Sequence, residues 1–441
     1  MKIDTTQLAR TGLWRAFAGL VLVILISGMV FAPSAKAQSN DIVTLYSFTG
    51  GTDGARPVAS VVLDWEDNIY GTTLDGGGST ACQGGCGTVF KLDKTGKETV
   101  LHSFGSSPDG ANPFSGVVLD FRGNLYGTTS GGGGYGFGTV YKVDREGNET
   151  VLHSFSGPPD GNYPIGGLVL DLAGNLYGTT AYGGQVSVSC RQDTGESGCG
   201  VVFKLDPSGK ETILHSFAGT PDLGAEVAEV SCGLPTTAVC DGAFPAAGLT
   251  WDWAGNLYGT TVYGGSDVND TGTVFKIDPK TGNETVIYDL GYTDPQNPSA
   301  GVVLDWEGNI YGTTSFEGAG AGNGGNGAVY KIDPAGNLTL LHTFTIPPDG
   351  FDPEGSLVLD LAGSVYGTTS GGGAYPYGGT VFKLDKTGNE TVLTFNGTDG
   401  AGPMAGLAWD WAGNLYGTTS GGGAYGAGTV FKIGRQVFQT R

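Results

Sequence analysis

Basic residues are scarce in this chain. Its 441 residues hold 22 Lys and Arg against 43 Asp and Glu, a formal net charge of −21. That imbalance excludes nucleic acid and anionic lipid as expected partners. Long apolar runs are scarce too. Residues 16–32 form one uncharged, mostly apolar stretch, and nothing after it is apolar enough to span a bilayer. No sustained 3.6-residue apolar period follows, so helices are not expected. Histidine occurs only 4 times. Enzyme signatures are missing as well. There is no Gly-x-Ser-x-Gly elbow and no His-Glu-x-x-His, and the Gly run at 131–134 lacks the Lys-Ser/Thr of a phosphate loop and leads into a strand.

Cysteine is limited to 6 residues in close pairs: Cys82/Cys86, Cys190/Cys199 and Cys232/Cys240. In an exported chain these predict local disulfide staples. Cys82-x-x-x-Cys86 also has the form of half a zinc site, but zinc would need two pairs to converge.

Export is predicted at the N-terminus. Lys2, Arg10 and Arg15 flank or precede the apolar stretch, and Ala35-Lys36-Ala37 follows it in small-x-small form. This is the pattern of a signal peptide over residues 1–37, cleaved before Gln38; an uncleaved anchor is the rival reading. Cleavage removes four Lys/Arg and one Asp and takes the net charge from −21 to −24. The expected product, residues 38–441, is a secreted or cell-surface protein, a single domain and a monomer.

What the chain has in excess is glycine, 82 of 441, and repetition. Tyr-Gly-Thr-Thr begins at Tyr70, Tyr126, Tyr177, Tyr258, Tyr311, Tyr366 and Tyr416, at spacings of 56, 51, 81, 53, 55 and 50. A period near 50 residues indicates propeller blades. The second repeat shows four strand-like runs, at 116–120, 125–129, 138–142 and 150–155. Tight turns at 120–124 and 144–148 carry the Gly and Asn that supply positive φ. The prediction is an all-β chain, a seven-bladed β-propeller with four antiparallel strands per blade. The first three runs occur seven times, the fourth only six times after them; its missing copy lies at 43–48. The N-terminal strand is therefore expected to complete the last blade, which closes the ring and removes an open edge.

The repeat resembles the GloVer family of bacterial extracellular repeat proteins. The resemblance rests on Asn124-Leu-Tyr-Gly-Thr-Thr129, the Gly-rich loop after it, Gly138-Thr-Val-Tyr-Lys142 and Val151-Leu-His-Ser-Phe155, and covers nearly all of residues 38–441. Its rhythm is also similar to the NHL propellers, which carry Asp where this repeat has Thr. The resemblance implies a propeller and an exported protein, and no activity.

Candidate sites follow from the expected topology. Loops between strands two and three, and from strand four to the next blade, share one face; the tight turns share the other. Length variation falls on the first face, at 74–86, 181–199, 218–243 and 316–326. Loops on a rigid scaffold concentrate binding, although insertions there are also tolerated cheaply. Tyr135, Tyr182, Tyr263, Tyr375 and Tyr425 sit in the Gly-rich loops of this face, as sugar-stacking candidates or as rings lying across their own blades. A repeated Asp-x-x-x-Pro places Asp53, Asp109, Asp160, Asp241, Asp294, Asp349 and Asp399 there too. These are either a Ca²⁺-binding carboxylate ring or structural Asp turns. Seven equivalent positions without the dense spacing of a calcium loop favour turns, so no cofactor is expected.

His102, His153, His215 and His342 share one position of the fourth strand and are not expected to cluster. Lys91 and its six copies are expected to pair across strands with Glu98, Glu149, Glu211, Glu284 and Glu390. Trp65, Trp253, Trp306 and Trp411 share a turn position with Phe121, Leu172 and Leu361, which predicts packing. The functional expectation is a non-enzymatic binding module on the variable face, its partner a glycan or a cell-envelope protein. The alternatives are an extracellular lyase or hydrolase, which would need asymmetric polar residues around the axis, and a purely structural envelope repeat.

Overall fold

Every letter of Tyr-Gly-Thr-Thr has its own structural duty in the computed structural model. In blade 1, Tyr70 Oη donates to Asp64 Oδ2 of the adjacent tight turn at 3.0 Å. Gly71 lets the third-strand ring of Phe90 lie flat on the backbone, since a Cβ there would stand 2.7 Å from Phe90 Cζ. Thr72 Oγ1 donates across to the carbonyl of Ser115 in the next blade at 2.9 Å. Thr73 Oγ1 meets Thr88 Oγ1 of its own third strand at 2.8 Å. The motif repeats because most blades make the same four contacts; the Thr–Thr bond, for example, recurs in five of the seven.

The structure describes residues 41–185, 198–219, 241–265, 271–316, 326–345, 349–375 and 377–439. The expected signal peptide over 1–37 lies outside them. No helix among the described residues is long and apolar enough to cross a membrane.

Blade 1 consists of Val62–Leu63, Ile69–Thr73, Thr88–Leu92 and Glu98–Ser103, hydrogen-bonded in that order and antiparallel. Six further sheets repeat the pattern, so the chain is a seven-bladed β-propeller. The seventh sheet is closed as expected: Ile42–Ser47 pairs antiparallel with Thr429–Ile433, Ile42 opposite Ile433 and Ser47 opposite Thr429. A 3₁₀ turn at Arg435–Phe438 then folds back, and Phe438 packs on Tyr366 at 5.4 Å between ring centroids.

Two boundaries differ from the sequence reading. The innermost strands keep only two ladder residues, Val118–Leu119 rather than 116–120. The residues before them crowd the axis, where a Cβ on Gly301 would stand 2.7 Å from Gly248 O. The outermost strands start one residue earlier, at Glu98 instead of 99, and their last Phe leaves the ladder. Phe104 is buried and meets Tyr141 of the next blade edge to face at 5.0 Å.

The core lies between blades. Val61, Ile69, Phe90 and Leu92 of blade 1 pack with Phe48, Tyr416 and Val430 of blade 7. Each fully buried Phe contributes roughly 2 kcal/mol of apolar transfer. Near the axis, the first Thr of the motif bonds a carbonyl of the next blade in six of seven cases, at 2.8 to 3.3 Å. Thr418 to Ala59 O is the bond that spans chain start and chain end. The exception is Thr313, whose hydroxyl is buried without a partner.

Candidate functional site

The tight turns are built by one carboxylate each. Asp64 Oδ1 accepts the N–H groups of Glu66 and Asn68 at 2.9 Å, and Oδ2 accepts Asn68 Nδ2 at 2.8 Å. The same cap recurs at Asp120, Asp171, Asp252, Asp305, Asp360 and Asp410. Burial opposes ionisation of Asp64, but the donors from Asn68, Tyr70 and Glu66 outweigh it and hold its pKa below the usual range.

The residue after each of these Asp points to solvent, contrary to the packing expected from sequence. Trp65, Phe121, Leu172, Trp253, Trp306, Leu361 and Trp411 are between 72% and 105% exposed. The carboxylate cap bends the chain so that the next side chain leaves the turn at its tip, away from both strands. Trp253 and Trp306 of adjacent blades stack with ring centroids 4.5 Å apart and planes 13° from parallel. They line a groove of about 710 Å³ with Leu361, Lys331, Lys386 and Glu307. This apolar ring is the site that sequence reasoning missed, although a bulky residue at the tip of an Asp-x-x-Gly-Asn turn was a legible signal.

The opposite, variable face holds the candidate tyrosines. Tyr182 and Tyr263 join a row that sequence did not foresee: Tyr163–Tyr182 at 6.0 Å, Tyr182–Phe244 at 5.1 Å and Phe244–Tyr263 at 5.8 Å. Tyr163 and Phe244 precede the repeated Pro and sit at φ 60°, a left-handed conformation unusual for a bulky residue. Tyr135, Tyr375 and Tyr425 are exposed in separate loops. Cys82 and Cys86 form a disulfide on this face, with Cα atoms 5.1 Å apart. Cys199 is buried and disulfide-bonded; Cys190, Cys232 and Cys240 lie outside the described residues.

The axis opens into a cavity of about 420 Å³. Among its described lining residues one is charged, Glu354, at a position where the other blades carry Val58, Phe114, Ile165, Ala246, Ser299 and Met404. Burial, with Asp352 adding to it, raises the Glu354 pKa, and its Oε2 has no hydrogen-bond partner.

The seven Asp of Asp-x-x-x-Pro do not face the axis as a ring. Each turns back on the exit of its own outermost strand, as Asp53 does to Thr49 N at 2.8 Å and Asp294 to Gly291 N at 2.9 Å. Asp399 accepts from Asn396 N at 2.8 Å. Four of these Asp meet a His: Asp109 with His102, Asp160 with His153, Asp241 with His215 and Asp349 with His342. The His do not meet one another, but each faces the Glu that begins the next blade's outermost strand. His153 Nε2 is 3.7 Å from Glu211 Oε2, and His342 Nε2 is 3.4 Å from Glu390 Oε1.

The expected Lys–Glu pairs are therefore not formed. Lys91 pairs in register with Thr99, and Glu98 with Leu92, so the two side chains leave opposite sides of the sheet. Lys91 Nζ lies over the Tyr70 ring at 5.5 Å, and five other blades repeat this stacking. Burial, followed by the Asp160 charge, pushes Glu211 up to about 7. Burial above all does the same to Glu390, also to about 7. Burial works against charge on His153, but the Asp160 and Glu211 carboxylates outweigh it and raise its pKa.

Against known proteins, the sequence profile of the Gloeobacter/Verrucomicrobia repeat matches residues 26–189, 85–324 and 308–440. No curated protein sequence matches the chain. Among solved structures, the extracellular domain of BT4673 from B. thetaiotaomicron is similar at 13% identity and a TM-score of 0.51, over 90% of this chain and 42% of that one. A second structure of that extracellular domain gives 13% identity and 0.50, over 89% and 39%. XC5397 of Xanthomonas campestris, a gluconolactonase, gives 14% identity and 0.40 over 89% of each chain. The chain thus spans less than half the length of the BT4673 structures, and at such identities the likeness is one of fold.

Proposed function

The chain belongs to the Gloeobacter/Verrucomicrobia repeat family, and on that premise we propose that it is an exported, non-enzymatic binding module that takes a glycan on its tight-turn face. The observation that carries this reading is the Trp253–Trp306 platform at the mouth of the groove. An exposed indole presents a flat apolar surface to the C–H face of a sugar ring, while Lys386 and Glu307 are within the same groove to bond hydroxyls. The leader-like N-terminus supports export, and the acidic charge supports a partner that is not a polyanion.

Tryptophan fluorescence, titrated with soluble cello-, chito- and xylo-oligosaccharides, tests the proposal. A saturable change is expected with at least one sugar, weakened roughly tenfold or more by Trp253→Ala or Trp306→Ala, as for loss of a stacking anchor worth ~1.5 kcal/mol. Saturable binding that both variants retain in full would reject the groove. A second reading is favoured by the stacked row Tyr163–Tyr182–Phe244–Tyr263 on the variable face: a contact surface for a cell-envelope protein. Tyr182→Ala separates the two, because the groove reading requires sugar binding to survive it.

A further inference from the structure

Around the rim, the outermost strands run head to tail, and the His and Asp of one blade meet the Glu of the next. The sequence pairs these positions with each other. His102, His153, His215 and His342 face Glu149, Glu211, Glu284 and Glu390. Where Tyr288 and Thr394 replace His, the corresponding next-blade positions are Leu338 and Ile42. Tyr46, which precedes Glu98, is the one departure. An imidazole and a second carboxylate thus come and go nearly together.

Three of these groups hold their donor atoms within 4.8 Å of one another: His102, Asp109 and Glu149; His153, Asp160 and Glu211; His342, Asp349 and Glu390. The imidazoles hold their carboxylates at the long end of hydrogen bonding: His102 Nε2 is 3.2 Å from Asp109 Oδ2. His153 Nε2 is 3.4 Å from Asp160 Oδ2 and 3.7 Å from Glu211 Oε2, and is buried with no hydrogen-bond partner. His342 Nε2 is 3.4 Å from both carboxylates. Glu149 Oε1, Glu211 Oε1 and Glu390 Oε1 are likewise buried without a hydrogen-bond partner, a feature they share with Glu98 Oε1 and Glu284 Oε1 outside the three groups. Ligands ~2.1 Å from a tetrahedral zinc ion stand about 3.4 Å apart. The Asp of each group is already fixed from behind. Asp160 accepts Ser156 N at 2.9 Å and Gly161 N at 2.7 Å, and Asp349 accepts Thr345 N at 2.9 Å and Gly350 N at 2.8 Å. Such outer bonds orient metal-binding carboxylates.

We propose that these three rim groups are divalent transition-metal sites of zinc type, each closed by one imidazole nitrogen, two carboxylate oxygens and water, and each fastening one blade to the next. The fourth set is not among them: His215 and Asp241 draw together to 2.9 Å, and with Glu284 they do not form a three-residue group within that 4.8 Å spread.

The metal-free, disulfide-intact protein, titrated with ZnCl₂ at pH 7.5 by calorimetry, provides the test. About three zinc ions per chain are expected, together with a rise in Tm that EDTA reverses. His153→Gln and His342→Gln should each remove one ion, and His215→Gln should leave the count unchanged. Co²⁺ gives a second readout that does not depend on stability: intense visible absorption from a tetrahedral site, lost in step with the same variants. Stoichiometry unaffected by His153→Gln and His342→Gln would overturn the proposal. So would the absence of any zinc binding or Tm response up to 1 mM zinc, roughly the weak limit for a specific site; the groups would then be proton-sharing contacts only.

Discussion

The tight turns contain two kinds of repeated residue, and they repeat for different reasons. Asp64, Asn68 and Tyr70 recur because each makes the bonds that shape the turn. Trp65 recurs in kind, as Trp, Phe or Leu, while remaining largely exposed. A residue whose polar atoms are all bonded needs no further account. An exposed apolar side chain repeated at one turn position does where two copies meet, as Trp253 and Trp306 do, because joined exposed apolar surface marks an interaction site. Repetition alone therefore does not separate structure from function; the contact each repeated residue makes does.

The comparison breaks most severely at the bonded residues. Gly178→Ala places a Cβ 2.7 Å from Phe203 Cζ and 2.8 Å from Leu168 Cδ2. Both side chains are buried and must shift to admit it, so thermal unfolding should show a loss of ~3 kcal/mol. A change below 1 kcal/mol, about the size of an ordinary surface effect, would mean that the blade yields more readily than its packing implies.

A smaller effect separates two copies of one residue. Thr72→Val removes a bonded hydroxyl and should cost ~1 kcal/mol, since Ser115 O loses its donor from the neighbouring blade. Thr313→Val removes a hydroxyl that is buried without a partner, and stability should hold or rise. Equal losses in chemical denaturation would show that the ring does not depend on this bond.

The smallest effect belongs to the exposed residues. Trp253→Ala should change stability by no more than ~0.5 kcal/mol. Together with lost sugar binding, that result would place the tip residues outside the folding requirement. A larger loss would return Trp253 to a packing role.

Much of the architecture was legible in the sequence. The repeat gave seven blades, and the displaced copy near 43–48 gave the closure that Ile42–Ser47 makes with Thr429–Ile433. Both depend on local patterns: period-two strands, Gly and Asn at turns, and a count of copies. The site was less legible. Two of the five loop tyrosines enter an aromatic row, but their partners Tyr163 and Phe244 went unnoticed because they sit before the repeated Pro, not in the Gly-rich loops. The His were read as isolated from one another, which is so, and their carboxylate neighbours were not anticipated.

What the sequence by itself determined is everything that a residue settles with its near neighbours along the chain: strand, turn, Asp cap and number of blades. What only the tertiary structure decided are the meetings between blades. Blade twist brings the start of one outermost strand against the end of another, so His153 reaches Glu211, 58 positions on, and Trp253 reaches Trp306, 53 positions on. The repeat period sets those separations along the chain, but not whether the side chains touch, because that depends on how far each sheet twists between axis and rim before the ring closes.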